Sequence, residues 1–498
     1  MKRMKRMKRF CCLLCLLLCF AALLVSCSGD APPAEQPSSG GESSGESGTQ
    51  DDGLDENGYL RDSLPSLDYQ GEPISILCWK AENPEFDVKG LDGDAIESAV
   101  YGKNRQTEKR LNVELRFNEE SLATYNQTLD TSKMGGLFWD VIAAKTQSAS
   151  TATVDGHFLP LNQIENSYID PAAPWWSQQL IEKIEINSKL FFMTGDISTN
   201  LVQMIYCVWF NQQLIDSIEG LVSPYELVER NEWTLTRMME MCIEAYADTE
   251  NDGDKVGVST GDRLGLTSYY YDVPALLHGC GVSIIEKNQI GKLSVSSAFK
   301  GMRAQDIIDY ISANIHQSSF VGDETHWSDA SFTGSFRDGR SLFIVAQSGA
   351  SIKMFSGIEF TAGCVPCPKY DGDQRSYYGA VRQPITMYGI MSNTPQARLT
   401  MDTAVLETMG SICYRTTTPV IFENTMKSAK STSPEMMTML NTIRDTAYFD
   451  IGRVFGASLN GICDQPGYAI RDNTAWKVYI DKKIPAVEEK ITTLFNSI

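Results

Sequence analysis

Short apolar runs alternate with longer segments of mixed polarity along most of this chain. Residues 74–79 (Ile-Ser-Ile-Leu-Cys-Trp) read as a buried strand, followed by polar 80–83, a helix over about 95–111 and a second strand at 112–117. A further helix leads into the apolar run 139–144, which ends in polar Lys-Thr-Gln-Ser at 145–148. Strands alternating with helices predict a parallel sheet with crossover connections. In such sheets ligands sit beyond the carboxyl ends of the strands, which points to Trp79, Glu82, Gln147 and Ser148 on position alone. Farther on, 187–200 leads into an apolar strand at 204–210, and Thr234 is placed to cap a helix. The segment 336–343 precedes another strand, and a helical region contains Val405. No internal repeat and no glycine-rich phosphate loop is visible.

The first residues have a different pattern. Three Met-Lys-Arg repeats precede an apolar run over 10–25, which would span about 24 Å as a helix. A bilayer core needs roughly 30 Å, so a secretory leader is expected rather than a spanning anchor. The run closes on Leu24, Val25, Ser26 and Cys27, which resembles a bacterial lipobox. That resemblance implies cleavage before Cys27 and a diacylglyceryl thioether on its sulfur, leaving 1–26 as the signal peptide. Residues 28–53 carry no aromatic or branched aliphatic side chain, only Ser, Gly, Pro, Ala, Thr and acidic or amide residues. Such a stretch cannot offset its ordering entropy by burial. We read 27–70 as a lipidated cysteine and flexible acidic linker that holds a folded domain off a membrane.

The 498 residues carry 43 Lys and Arg against 63 Asp and Glu, a net charge of −20, with every basic residue of the leader still counted. So acidic a chain is a poor ligand for nucleic acid. At 42% apolar and 21% charged it buries a real core, and its length suits two domains. Eight cysteines follow the linker: Cys78, Cys207, Cys242, Cys280, Cys364, Cys367, Cys413 and Cys463. Their scattered spacing and apolar neighbours favour mostly free, buried thiols over a disulfide framework.

Seven segments in fixed order resemble the family 1 extracellular solute-binding proteins, the receptors of ABC importers that mostly take up sugars. They are Lys-Leu-Phe-Phe-Met-Thr-Gly-Asp at 189–196, Phe-Asn-Gln-Gln-Leu at 210–214, Trp-Thr-Leu-Thr at 233–236 and Asp-Arg-Leu-Gly-Leu at 262–266. Phe-Arg-Asp-Gly-Arg-Ser-Leu-Phe at 336–343, Pro-Cys-Pro-Lys-Tyr-Asp-Gly-Asp-Gln at 366–374 and Phe-Asp-Ile-Gly at 449–452 complete the series. The resemblance spans roughly 71–490. It implies a two-lobed α/β fold of the type II periplasmic-binding-protein kind, closing about a hinge on a ligand between the lobes, with the membrane permease as partner. Lobe 1 is then expected at 71–190 with 336–392, and lobe 2 at 191–335 with 393–498. The implied place is the outer face of a bacterial membrane, without cofactor and without catalysis.

Sugar recognition needs flat apolar faces against ring C–H groups and planar polar groups for adjacent hydroxyls. Besides Trp79, Glu82, Gln147 and Ser148, this selects Trp175 and Trp176, Asp196 and Asn200, Tyr269, Tyr270, Tyr271 and Asp272, and Arg382 with Gln383. Each aromatic taken alone also suits core packing. Asp248, Glu250, Asp252 and Gly253 match the start of a calcium loop, but Ser259 stands where its bidentate Glu belongs. A solvated acidic turn is the better reading. Cys364 and Cys367 have redox spacing, yet Pro366 and Pro368 oppose the helix such a centre starts. This leaves a local disulfide or two buried thiols. The four histidines show no paired metal spacing. No nucleophile elbow or zinc-protease motif is present. A glycosidase needs only two carboxylates, so a sugar-cleaving lipoprotein is the alternative, with a sensor or scaffold of the same fold as a third.

Overall fold

A computed structural model describes residues 53–498 except 82, 91–92, 250–260, 270–271 and 318–328. Cys27, Glu82, Tyr270, Tyr271 and all of the acidic turn after Thr249 therefore lie outside the described residues. Eight strands build the two main sheets: β1 (Glu72–Trp79), β2 (Val113–Glu120), β3 (Val141–Lys145), β4 (Tyr206–Asn211), β5 (Leu264–Thr267), β6 (Ser341–Gln347), β7 (Ala362–Pro366) and β8 (Thr386–Gly389). In the first sheet β1 lies between β2 and β3, parallel to both, and β8 closes the edge antiparallel to β3. In the second the order is β5, β6, β4, β7, with β4 antiparallel to both neighbours.

Local chemistry sets these elements. β3, β4 and β6 are apolar nearly throughout because both of their faces are covered. The helix Ala95–Leu111 starts at a capping box: Asp94 Oδ1 accepts from the Ile96 and Glu97 amides at 2.9 Å each, and Glu97 reaches back to the Asp94 amide at 3.1 Å. Such a cap contributes about 1 kcal/mol. Thr234 caps Leu235–Ala245 by accepting from the Arg237 amide.

The chain leaves the first lobe over 194–205 and returns over 381–385, where Ile205 bridges Val381 and Met193 bridges Tyr388. A helix over Gln396–Ile412, a π-turn at Cys413–Thr417 and a helix over Thr418–Ser428 follow without a break. Almost every residue from Met401 to Ile412 is buried, as expected of a helix covered on all sides. This rod packs on Ala95–Leu111 of the first lobe and, farther along, on Ala350–Lys353 of the second. Ala447–Tyr448 then pairs with Gly379–Ala380. The remaining chain is pinned to the second lobe by Asp450, whose carboxylate accepts from the Ile284, Ile285 and Gly452 amides. It also touches the first lobe, where Phe455 packs on Phe192.

The expected lobe boundaries need correction. Residues 341–347 and 362–366 pair with β4 in the second sheet, so the return to lobe 1 begins only after about 380. Conversely, Gln396–Ile412 packs on lobe 1. All eight cysteines are free thiols, Cys463 alone partly exposed, and Cys364 and Cys367 are two buried thiols at the end of β7. No helix among the described residues is long and apolar enough to cross a membrane.

Candidate functional site

Gln147, just after the carboxyl end of β3, and Tyr206, paired with Gln347 at the carboxyl end of β6, line one cavity and locate the candidate site. After β3 the chain turns directly into the helix Thr146–Val154, which puts Gln147 in its first turn, exposed, with Ser148 partly exposed beside it. Tyr206 opens β4 opposite Gln347 at the end of β6. It is 1% exposed, and its hydroxyl donates to Asp272 Oδ1 at 2.6 Å. Burial first, and that carboxylate second, hold the phenol well above its ordinary pKa. Arg382 and Gln383 lie on the returning strand, partly exposed. The Arg382 amide donates to Met204 O, and Gln383 Nε2 donates to Arg453 O at 2.7 Å. Together Gln147, Tyr206, Arg382, Gln383, Arg453 and Asp464 enclose a cavity of about 340 Å³. It draws on lobe 1, on both crossing strands and on the C-terminal segment, which is where hinge closure would act.

Three of the residues expected from sequence meet here: Gln147, Arg382 and Gln383. Asp272 joins through Tyr206. Tyr269 is partly exposed but does not line this cavity. Of the other described candidates, Trp79, Trp175, Trp176, Asp196 and Asn200 are buried. Trp79 is 1% exposed, and its indole donates to Thr386 Oγ1 at 2.9 Å, so it belongs to the core wall and not to a ligand face. Asn200 is fully buried, accepting from Asn83 and donating to Glu85. Glu85 also accepts from Thr386 and Tyr388, and its carboxyl is raised by burial, which those hydrogen bonds partly offset. Asn83 in turn accepts from Lys353 of the second lobe. This network ties the loop after β1 to both crossings.

Trp175, Trp176 and Asp196 sit on the other side of the crossing strand. They line a second cavity of about 330 Å³, and Ile205 faces it while its neighbour Tyr206 faces the first. Trp176 donates to Glu407 at 2.8 Å, and Trp175 packs on Tyr414. Asp196 accepts from Thr418 at 2.7 Å and lies 3.7 Å from Arg444. Burial raises its carboxyl, and that guanidinium opposes the shift. A larger hollow of about 680 Å³ lies at the far end of the second sheet, beside Asn211, Arg337 and Phe360, at the amino ends of β6 and β7. Its position is wrong for a ligand site of this architecture.

Sequence reasoning missed Tyr206, Arg453 and Asp464. The one available signal for Arg453 was its place directly after Phe-Asp-Ile-Gly at 449–452. Among the described residues no group of three His, Cys, Asp or Glu is placed to hold a metal ion.

Compared by sequence, the chain matches no model of a known protein family and no curated protein. Compared by structure, it is similar to a cyclo/maltodextrin-binding protein solved with maltotetraose, with a TM-score of 0.55 and 13% identity over 85% of this chain and 99% of that one. It is also similar to an ABC substrate-binding protein from Listeria monocytogenes in complex with cycloalternan, with a TM-score of 0.53 and 12% identity over 84% and 99%. A sugar transporter from Rhizobium etli in an open conformation gives a TM-score of 0.56 and 13% identity over 84% and 99%. The fold is that of the two-lobed ABC substrate-binding proteins, as the order of the seven segments implied. These structural neighbours are described as binding proteins for maltodextrins and cycloalternan and as a sugar transporter.

Proposed function

We propose that this chain is the solute-binding receptor of an ABC importer, capturing a carbohydrate, most simply an oligosaccharide, between its lobes and presenting it to a membrane permease. The observation that carries the reading is the cavity at the carboxyl ends of both sheets, bounded by Gln147, Tyr206, Arg382 and Gln383 from both lobes and the crossings. The likeness of the fold to sugar-bound receptors over nearly their whole length supports it. In the same reading Cys27 carries the lipid, residues 28–53 are the tether, and the receptor works on the outer face of the membrane without catalysis.

A melting-temperature screen of the protein against mono- and oligosaccharides tests this. A ligand at 100 times its Kd stabilises the native state by about 2.7 kcal/mol, a shift of several degrees. A shift with an intact glycan supports the receptor. Breakdown of the glycan on prolonged incubation would contradict it and favour the glycosidase.

A further inference from the structure

The walls of the cleft cavity are unusual for a neutral sugar. Stacking against aromatic faces carries much of the recognition of an uncharged ring. Among the described residues lining this cavity, Tyr206 is the one aromatic, and it is almost wholly buried. What the cavity offers instead is cationic and amide donors: Arg382, Arg453, Gln147 and Gln383. Nε and Nη1 of Arg453 are shielded from solvent and meet no acceptor among the described residues. Two of the carboxylates near that guanidinium already accept hydrogen bonds from other groups, although Asp450 still feels the Arg453 charge. Asp450 spends both oxygens on three backbone amides, and Asp272 accepts from Tyr206. Asp464 stands on the rim.

Buried donors without acceptors cost about 1–3 kcal/mol each, and an Arg fork matches an oxyanion in a bidentate fashion. The Arg453 side chain is partly exposed and lines the cavity, so an oxyanion bound there can reach its guanidinium. We propose that the ligand of the cleft is a glycan carrying an oxyanion, which is held by Arg453 with Arg382 beside it. The proposal rests on the reading of this cavity as the glycan site. A sugar carboxylate, sulfate or phosphate would each present the required oxygens. Asp464 on the same rim repels a dianion more than a monoanion, which favours a uronate or a sulfate ester over a phosphate monoester.

Calorimetric titration of the full chain in detergent decides this, with four probes: an oligouronate, the same oligosaccharide with its carboxyls reduced to alcohols, a sugar phosphate, and inorganic phosphate. The oligouronate should bind at least tenfold more tightly than its reduced counterpart, and in Arg453→Gln that ratio should fall towards one. Tightest binding of the sugar phosphate would keep the oxyanion and move its source to an ester. Equal affinity for the oligouronate and its reduced form would overturn the inference and leave the receptor standing. Binding of inorganic phosphate alone would overturn the glycan half. No binding of any glycan would overturn the receptor reading and the inference together. The comparison of the two oligosaccharides on the unaltered protein needs no variant, so it stands even if Arg453→Gln fails to fold.

Discussion

The two cavities flanking the crossing strands are nearly equal in size, about 340 and 330 Å³, yet they differ in how their charged groups are partnered. Behind the hinge, the charged groups Asp196, Arg444 and Glu407 are paired with one another or with neighbours, and the donor unpartnered among the described residues is the neutral Trp175 indole. In front of it, Gln147 is exposed and Arg453 keeps two donors without acceptors among the described residues. Polar groups that answer each other hold a structure together, whereas groups left unanswered in a cavity are available to a ligand. The adjacent tryptophans line the rear cavity.

The comparison is broken most severely at Trp176. Trp176→Ala removes a buried indole and one of the donors to Glu407, so we expect a loss of about 3–5 kcal/mol in urea unfolding. A loss under about 1 kcal/mol would show that the rear cavity is not structural. Asp402 gives the next largest effect. It is buried in the long helix with neither oxygen partnered, and burial, with Asp140 adding to it, lifts its pKa from 3.8 to about 8. The folded state thus holds a proton that the unfolded chain releases near pH 4. This residue's contribution to stability is intact below that point, falls as pH rises towards 8, and is flat beyond. Asp402→Asn should therefore melt at about the wild-type temperature at pH 4 and several degrees higher at pH 8. A pH-independent difference would contradict the assignment.

Thr386→Val tests the polar network between the crossings. It removes the acceptor of Trp79 and a donor to Glu85, at an expected cost of about 1–3 kcal/mol. The smallest effect on stability belongs to the front cavity. Gln147→Ala should change unfolding by less than about 0.5 kcal/mol, yet weaken glycan binding severalfold in calorimetry. The reverse outcome, with lost stability and unchanged affinity, would move Gln147 into the structural class.

Much of the fold was legible because it is locally encoded. The apolar runs of β1, β3 and β4 announce strands covered on both faces, and Asp94 with Glu97 marks the start of the helix Ala95–Leu111. The lobe to which β6 and β7 belong was not legible. Their partner β4 lies more than a hundred residues earlier, and an apolar run fits either sheet equally well. The same limit applied to the site. Gln147, Arg382 and Gln383 were reachable from strand ends and the crossing, since those positions fix where side chains emerge. Trp79 looked equivalent, but its indole finds a hydroxyl 307 residues away and leaves the cleft. Arg453 sits in an irregular C-terminal segment whose docking depends on Asp450 reaching the Ile284 amide, a contact with no periodic signature.

Hydrogen–deuterium exchange of the full chain, with and without a glycan that raises its melting temperature, tests the central claim most directly. The account predicts ligand-dependent protection at 146–148, 381–383 and 453–464, the segments around the front cavity. Protection confined to 174–179 and 444–447, or to 211–217 and 357–360, would place the ligand in another hollow and contradict it.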